Sequence, residues 1–286
     1  MIEREPVITR FAPSPSGRLH LGHAYAAMVA YDAARFSGGY FLVRMEDIDK
    51  NRCRPEFEDA IFEDLAWLGL KWAEPVMRQS DRMDNYADVI RELEALDIIY
   101  PCFCTRADIR AEIERSPAAP HGPEGVIYPG TCRHIPLQER LERVEGGEAH
   151  ALRIDIDKAL EIADPILTWN ERDEGMSRAY PQRFGDVVLA RKDTPTSYHL
   201  SVVVDDAAQG ITLVTRGRDL FDATGIHRLL QSLLKYPVPR YYHHKLITDD
   251  RGKRLATRDA ALSLETLRKN GSSPEYIRYL VGLAKS

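Results

Sequence analysis

An α/β fold on parallel strands is what this chain predicts, and three observations predict it. A short apolar stretch from Val7 to Phe11 reads as a buried strand leading through a Pro- and Ser-rich turn into a helix. A second strand, Tyr40 to Met45, follows that helix, and regular alternation of elements resumes at Asp186. Strand, turn, helix and strand in this order open a nucleotide-binding sheet whose ligands sit beyond the carboxyl ends of the strands. Arg10 and Glu46 fall at two such ends.

The elements follow in order. After His23, the residues Ala24, Ala27, Met28, Tyr31 and Ala34 recur at helical spacing, and Gly38-Gly39 ends the run. Pro55 suits the first turn of a helix striped by Phe57, Ile61, Leu65 and Leu68. A further helix is expected between Asp84 and Leu96, and composition changes after Ile98-Ile99-Tyr100. Ser116 to Gly130, rich in proline and glycine, reads as an irregular excursion. From Ala149 to Ile156 the chain alternates as a strand does. Val187 to Ala190 and Ile211 to Thr215 are further strands, Tyr198 to Val204 begins a helix, and Thr224 to Leu234 is amphipathic through Ile226, Leu229, Leu230 and Leu233. Two short helices are expected after Arg258. These readings divide the chain into 1–101 and 181–245 as two αβ halves of one unit, 102–180 as an insertion, and 246–286 as a basic segment with a helical stub.

At 286 residues, with 44% hydrophobic and 29% charged, the chain suits one large core carrying an insertion. No apolar run approaches the ~20 residues that span a bilayer. The start, Met1-Ile2-Glu3-Arg4-Glu5, has no secretory pattern. A net charge of −5 argues against indiscriminate nucleic-acid binding and leaves room for a local basic face. Lys245 to Arg258 and Arg268-Lys269 read equally as solvated surface or as an RNA-facing patch. Of the four cysteines, Cys102, Cys104 and Cys132 cluster within a short stretch, unlike a disulfide framework, which points to the cytoplasm. Cys53 reads as an ordinary thiol.

The chemistry starts at Arg10-Phe11-Ala12-Pro13-Ser14-Pro15-Ser16-Gly17 and His20-Leu21-Gly22-His23. Two imidazoles at a helix entry can donate to phosphate oxygens, the helix N-terminus favours an anion, and Gly22 leaves room for a base. Late in the chain, Gly252-Lys253-Arg254-Leu255-Ala256-Thr257-Arg258 is a short basic segment. Arg10 and Arg216 are guanidinium groups that can each grip a carboxylate with two hydrogen bonds. Glu46 suits an ammonium group and Tyr198 a carboxylate oxygen. Thiolates at Cys102, Cys104 and Cys132 invite a metal such as zinc, with His121, Tyr128 and His134 available as a fourth donor.

Together these stretches resemble the class I aminoacyl-tRNA synthetases, and the Pro-Ser-Pro-Ser-Gly lead-in resembles their glutamyl branch. The resemblance implies a Rossmann-like catalytic domain that uses ATP, with Mg²⁺, to activate L-glutamate. It implies that His20, Gly22 and His23 meet ATP, and that Arg10, Phe11, Ala12, Pro13, Ser14, Glu46, Tyr198 and Arg216 bind glutamate. The basic segment resembles the mobile Lys-Met-Ser-Lys-Ser loop, with Thr257 where a lysine normally meets the triphosphate; Arg254, Arg258 or Lys253 is left to supply the cation. Tyr128-Pro129-Gly130-Thr131-Cys132 after Cys102-Phe103-Cys104 resembles a structural zinc site of short glutamyl-synthetase paralogues, which makes Tyr128 the fourth ligand. The chain stops soon after the basic loop, where glutamyl enzymes carry an anticodon-binding region. Over Thr9 to Ala284 it resembles the short paralogues, the glutamyl-queuosine tRNA(Asp) synthetases. That resemblance implies transfer of glutamate to the queuosine base in the anticodon of tRNA(Asp) by a monomeric cytoplasmic protein with no membrane association. The rival readings are a truncated glutamyl-tRNA synthetase acting at the tRNA 3′ end, and a degenerate, non-catalytic binding protein.

Overall fold

The computed structural model describes residues 6–115, 121–123, 125–247 and 263–283. Strand β1 (Ile8–Phe11) leads into helix α1 (Leu21–Phe36), strand β2 (Tyr40–Met45), helix α2 (Pro55–Trp67) and strand β3 (Ala73–Arg78). These strands form a parallel sheet in the order β1-β2-β3, with Arg10 beside Leu42. Gly39 makes the return from α1 to β2 possible, because a Cβ there would stand 2.0 Å from the carbonyl oxygen of Val7.

After α3 (Met83–Ala95) comes β4 (Ile99–Cys102), then α4 (Arg106–Arg115), the small hairpin of β5 (His121–Gly122) and β6 (Gly125–Val126), and α5 (Leu137–Glu145). The expected irregular excursion thus holds one short hairpin. Strand β7 (Ala151–Ile154), helix α6 (Ile156–Ile162), strands β8 (Thr168–Glu171) and β9 (Gly175–Arg178), and β10 (Val188–Ala190) follow. An antiparallel sheet, β10-β7-β4, joins the two sides of the insertion.

Helix α7 (Tyr198–Ala208), strand β11 (Leu213–Gly217), helix α8 (Thr224–Leu233) and strand β12 (Arg240–His244) complete the alternation, and helices α9 (Leu264–Lys269) and α10 (Pro274–Leu280) follow. The third sheet runs β11-β12-β8-β9, with Tyr241 of β12 paired to Glu171 of β8. Strands β8 and β9, from segment 102–180, therefore extend the sheet of the second half. Strand β11 lies against β1: the Thr212 N–H donates to the Ile8 carbonyl at 3.0 Å. The carboxyl ends of β1, β2, β11 and β12 are thereby gathered at one edge.

Two cores support that edge. One packs α3, α6, α7 and α8 through residues such as Leu93, Leu189, Leu200 and Leu229. The other packs α1, α2 and β2, and takes in Leu264 and Ile277 of the last two helices. Among the described residues, no helix is long and apolar enough to cross a membrane. Arg268 and Lys269 pair with Glu63 and Glu265 at 2.9 and 2.7 Å, so local carboxylates offset this end of the basic face.

Asp64 of α2 is fully buried, among the described residues neither of its oxygens accepts a hydrogen bond, and Arg268 stands 3.6 Å away. Burial pushes its carboxyl up to about 6 from 3.8, with Arg268 opposing. Between these values the folded chain holds a proton that the unfolded chain releases, so this group's contribution to stability falls as pH rises through that window. Above it, the ionised carboxylate is destabilising. Asp64→Asn should therefore unfold at a higher temperature than the parent at pH 8, with the gap closing towards pH 4. An equal gap at both pH values would count against a buried, ionising Asp64.

Candidate active site

His20 caps α1 in extended conformation, and its Nδ1 accepts the Gly22 backbone N–H at 3.0 Å. His23 Nδ1 in turn accepts the His20 backbone N–H at 3.2 Å, a reciprocal capping pair. Such caps stabilise a helix start by about 1 kcal/mol. With Nδ1 accepting, the proton of each neutral ring sits on Nε2, the donor a phosphate oxygen needs. The two rings lie 3.9 Å apart at a helix N-terminus whose first turn has no acidic residue. A Cβ on Gly22 would stand 2.9 Å from His20 Cε1, so glycine admits the capping ring itself.

The basic segment, with Arg254, Thr257 and Arg258, lies outside the described residues. Its flanks do not. Ser263 bridges to His20, and the Leu264 N–H donates to the Leu19 carbonyl at 2.8 Å. Ile247, on the other flank, packs against the same core as α1.

Arg10, Phe11, Ala12, Pro13 and Ser14 leave β1 beside the end of β2, where the Glu46 N–H donates to the Pro13 carbonyl at 2.9 Å. Cys53, read as an ordinary thiol, stands 3.6 Å from Ser14 Oγ and so borders this turn. Arg10 is buried; its Nε donates to Asp206 at 2.8 Å and its Nη1 to the Thr215 carbonyl at 3.2 Å. Arg44, also buried, meets the same Asp206 oxygen at 2.8 Å and Glu46 at 3.3 Å. Burial opposes the charge on Asp206, but Arg10 and Arg44 outweigh it and hold the carboxyl below its ordinary range. At Glu46 burial wins over Arg44 and Arg10 and pushes the carboxyl up. An incoming ammonium group would favour its ionised form.

Arg216, at the carboxyl end of β11, differs from Arg10. It is 6% exposed, and among the described residues it has no carboxylate partner. Its Nε donates to His243 Nε2 at 3.0 Å, its Nη1 to His227 Nδ1 at 2.9 Å, and its Nη2 to Thr224 Oγ1 at 2.7 Å. The Tyr198 hydroxyl is 3.5 Å from Nη1, and this phenol also feels the charges of Glu46 and Arg10. The structure therefore brings Arg10, Glu46, Tyr198 and Arg216 to one place. Burial, followed by the Arg216 charge, lowers His227 well below the usual imidazole range. His243 is lowered too, burial outweighing its hydrogen bond to Glu171. Both rings accordingly meet Arg216 as neutral acceptors. A guanidinium buried among neutral groups has its charge available to an anionic ligand.

Asp206, Arg44, His227, His243 and Glu171 were not singled out from the sequence. Asp206 ends the stretch Tyr-His-Leu-Ser-Val-Val-Val-Asp-Asp that begins at Tyr198, and its acidic pair is a usable signal. The others had none.

In the insertion, Cys102, Cys104 and Cys132 bring their sulfurs within 4.8 Å of one another. Cys104 Sγ is 3.4 Å from Cys132 Sγ, and the Tyr128 hydroxyl is 3.5 Å from Cys102 Sγ and 3.6 Å from Cys104 Sγ. A tetrahedral zinc with ~2.3 Å bonds to sulfur has sulfur–sulfur edges of roughly 3.8 Å, so this donor set fits a zinc ion. His134 is exposed and outside the cluster, and the His121 side chain lies outside the described residues.

A groove of about 1280 Å³ opens at the opposite ends of the strands, between Val7, Phe36, Leu213 and Arg240. None of the predicted site residues lines it. Parallel sheets bind at their carboxyl ends, where Arg10, Glu46, Tyr198 and Arg216 gather, which makes that cluster the candidate site.

Parallel strands with an imidazole pair capping the first helix, and a cluster of buried arginines with Glu46 and Tyr198 at the carboxyl strand ends, are the features of a class I synthetase catalytic domain. The family model for the catalytic domain of class I tRNA synthetases (E and Q) matches residues 6–284. Glutamyl-Q tRNA(Asp) synthetase of Rhodobacter capsulatus is 51% identical over 97% of this chain and 100% of its own length. The protein of the same name from Symbiobacterium thermophilum is 41% identical over 96% and 86%. The chain belongs to the glutamyl-Q tRNA(Asp) synthetase family of class I synthetases, and is a ligase-type enzyme. A solved glutamate tRNA ligase from Elizabethkingia meningosepticum, in complex with its amino acid, superposes with a TM-score of 0.80 at 28% identity. That alignment covers 98% of this chain and 61% of the ligase.

Proposed function

We propose that the enzyme activates L-glutamate with ATP and transfers the glutamyl group to the queuosine base in the anticodon of tRNA(Asp). The observation that carries this reading is Arg216, a buried cation with neutral acceptors, beside Tyr198, Glu46 and Arg10. Such a pocket suits a small ligand bearing carboxylates and an ammonium group. In the first step a glutamate α-carboxylate oxygen attacks the α-phosphorus of ATP, and the bond to the pyrophosphate oxygen breaks. Little proton transfer is needed; positioning and charge neutralisation lower the barrier. Arg216 and Tyr198 hold a glutamate carboxylate, and Glu46 holds the ammonium. His20 and His23 donate to phosphate oxygens, and the segment with Arg254, Thr257 and Arg258 supplies further positive charge. Mg²⁺ accompanies the triphosphate.

In the second step a hydroxyl of the queuosine cyclopentene diol attacks the acyl carbon of glutamyl-AMP. AMP leaves, and the hydroxyl proton is lost. An anticodon loop can present its base because unpaired bases splay outwards. Cys102, Cys104, Tyr128 and Cys132 hold a structural zinc that closes the insertion. Incubating the enzyme with ATP, labelled glutamate and tRNA(Asp), with and without queuosine, tests the reading. Label is expected only on the modified tRNA and away from the terminal adenosine. Label at the 3′ end would replace this reading with a truncated glutamyl-tRNA synthetase, and no glutamate-dependent pyrophosphate exchange would leave a binding protein.

A further inference from the structure

We infer that Glu171, acting through His243, and His227 on the opposite side, are positioning residues that orient Arg216 for the substrate carboxylate and, among the described residues, leave it without a carboxylate partner. This rests on the reading that Arg216 binds glutamate. Glu171 belongs to no motif and enters the site only because β8 extends the sheet beside β12. One of its oxygens accepts the His243 backbone N–H at 2.8 Å; the other accepts His243 Nδ1–H at 2.7 Å and the Trp169 indole N–H at 3.2 Å. The His243 and Glu171 side chains are 0% and 2% exposed, so packing and a two-point contact fix the ring. With the proton held on Nδ1, the Nε2 lone pair has to face Arg216 Nε.

The other side repeats the device. His227 Nδ1 accepts from Arg216, which places the ring proton on Nε2, 3.3 Å from His199 Nδ1. Thr224 Oγ1 takes a proton of Nη2. With the Nη1 contact to the Tyr198 hydroxyl at 3.5 Å, four of the five guanidinium N–H groups meet neutral acceptors. The fifth, on Nη2, is left by these contacts.

The choice of acceptor decides the outcome. A carboxylate in the place of either ring would neutralise Arg216 and compete with the substrate. An apolar side chain would bury N–H donors without partners. Only a neutral acceptor orients the fork and leaves its charge unspent. Glu171 keeps His243 in the required tautomer, its own charge one ring removed from the guanidinium. In Glu171→Gln the amide N–H₂ meets either the ring N–H or the backbone N–H, donor against donor, and the ring is released or its tautomer reversed.

The test is glutamate-dependent pyrophosphate exchange with separate KM values for glutamate and ATP. Glu171→Gln should raise the glutamate KM roughly tenfold, as loss of one oriented charged contact does, while the ATP KM stays within about twofold. In an Arg216→Ala background, Glu171→Gln should add nothing, because residues acting in series are not additive. A glutamate KM unchanged in folded Glu171→Gln, or an equal added effect in the Arg216→Ala background, would overturn the inference. His227 gives a second pair. His227→Asn restores a neutral acceptor and should keep the glutamate KM within about threefold, whereas His227→Asp should raise it well beyond that. Equal values for the two would overturn the need for neutrality. If Arg216→Ala alone leaves the glutamate KM unmoved, it is the glutamate reading that fails.

Discussion

Arg216→Ala is expected to raise the glutamate concentration for half-maximal pyrophosphate exchange roughly a hundredfold. Truncating one partner of a buried, hydrogen-bonded charge pair costs ~3 kcal/mol, which corresponds to about that factor. The variant loses more than a fork for the substrate, because His243 Nε2 and His227 Nδ1 are left as buried acceptors without their donor. Arg10 compensates only weakly, since its charge is already paired with Asp206. The ATP requirement should move little. An unchanged glutamate requirement in a folded Arg216→Ala protein would remove this arginine from the pocket and the central support of the proposed activity with it.

Metal analysis is expected to find about one zinc per chain, and its removal to have the largest effect on stability. The small cluster beneath the insertion consists of Tyr100, Cys102, Phe103, Tyr128 and Cys132, with Cys104, Ile109 and Ile135 packed on it. Most of its buried members are the proposed ligands, so little apolar core remains to hold 103–150 in place without metal. Structural zinc contributes about 10 kcal/mol or more to folding in small metal-dependent units. Cys132→Ser, or a strong chelator, should release the zinc, lower the unfolding temperature and open this segment to proteolysis. An active, fully folded protein containing no metal would refute the assignment. So would Tyr128→Phe binding zinc as tightly as the parent, for the choice of the phenol as fourth donor.

Much of the scaffold was legible because it is written locally. Periodicity marked α1, α2 and α8, and Gly38-Gly39 marked the end of α1. Strand β3 was missed: Ala-Glu-Pro-Val-Met-Arg has no alternation and contains a proline. Strands β8 and β12, Thr-Trp-Asn-Glu and Arg-Tyr-Tyr-His-His, are polar enough to pass for loop. They become strands because sheet pairing satisfies their backbone and core packing buries Trp169 and Tyr241. Sulfur donors were legible too, since Cys-x-Cys is a spacing that chemistry restricts. The choice among His121, Tyr128 and His134 could not follow from spacing alone.

By itself the sequence determined which reactive groups exist and where along the chain they sit: the imidazole pair at a helix start, arginines and a glutamate at strand ends, and clustered thiols. Tertiary structure alone decided the electrical state of those groups. It gave Arg10 a carboxylate partner from α7 and gave Arg216 two imidazoles instead. The physical reason is that the state of a buried charge is set by atoms within a few ångströms, whichever part of the chain supplies them. Glu171 and His243 lie 72 residues apart, and no local pattern in the sequence reports a contact of that range.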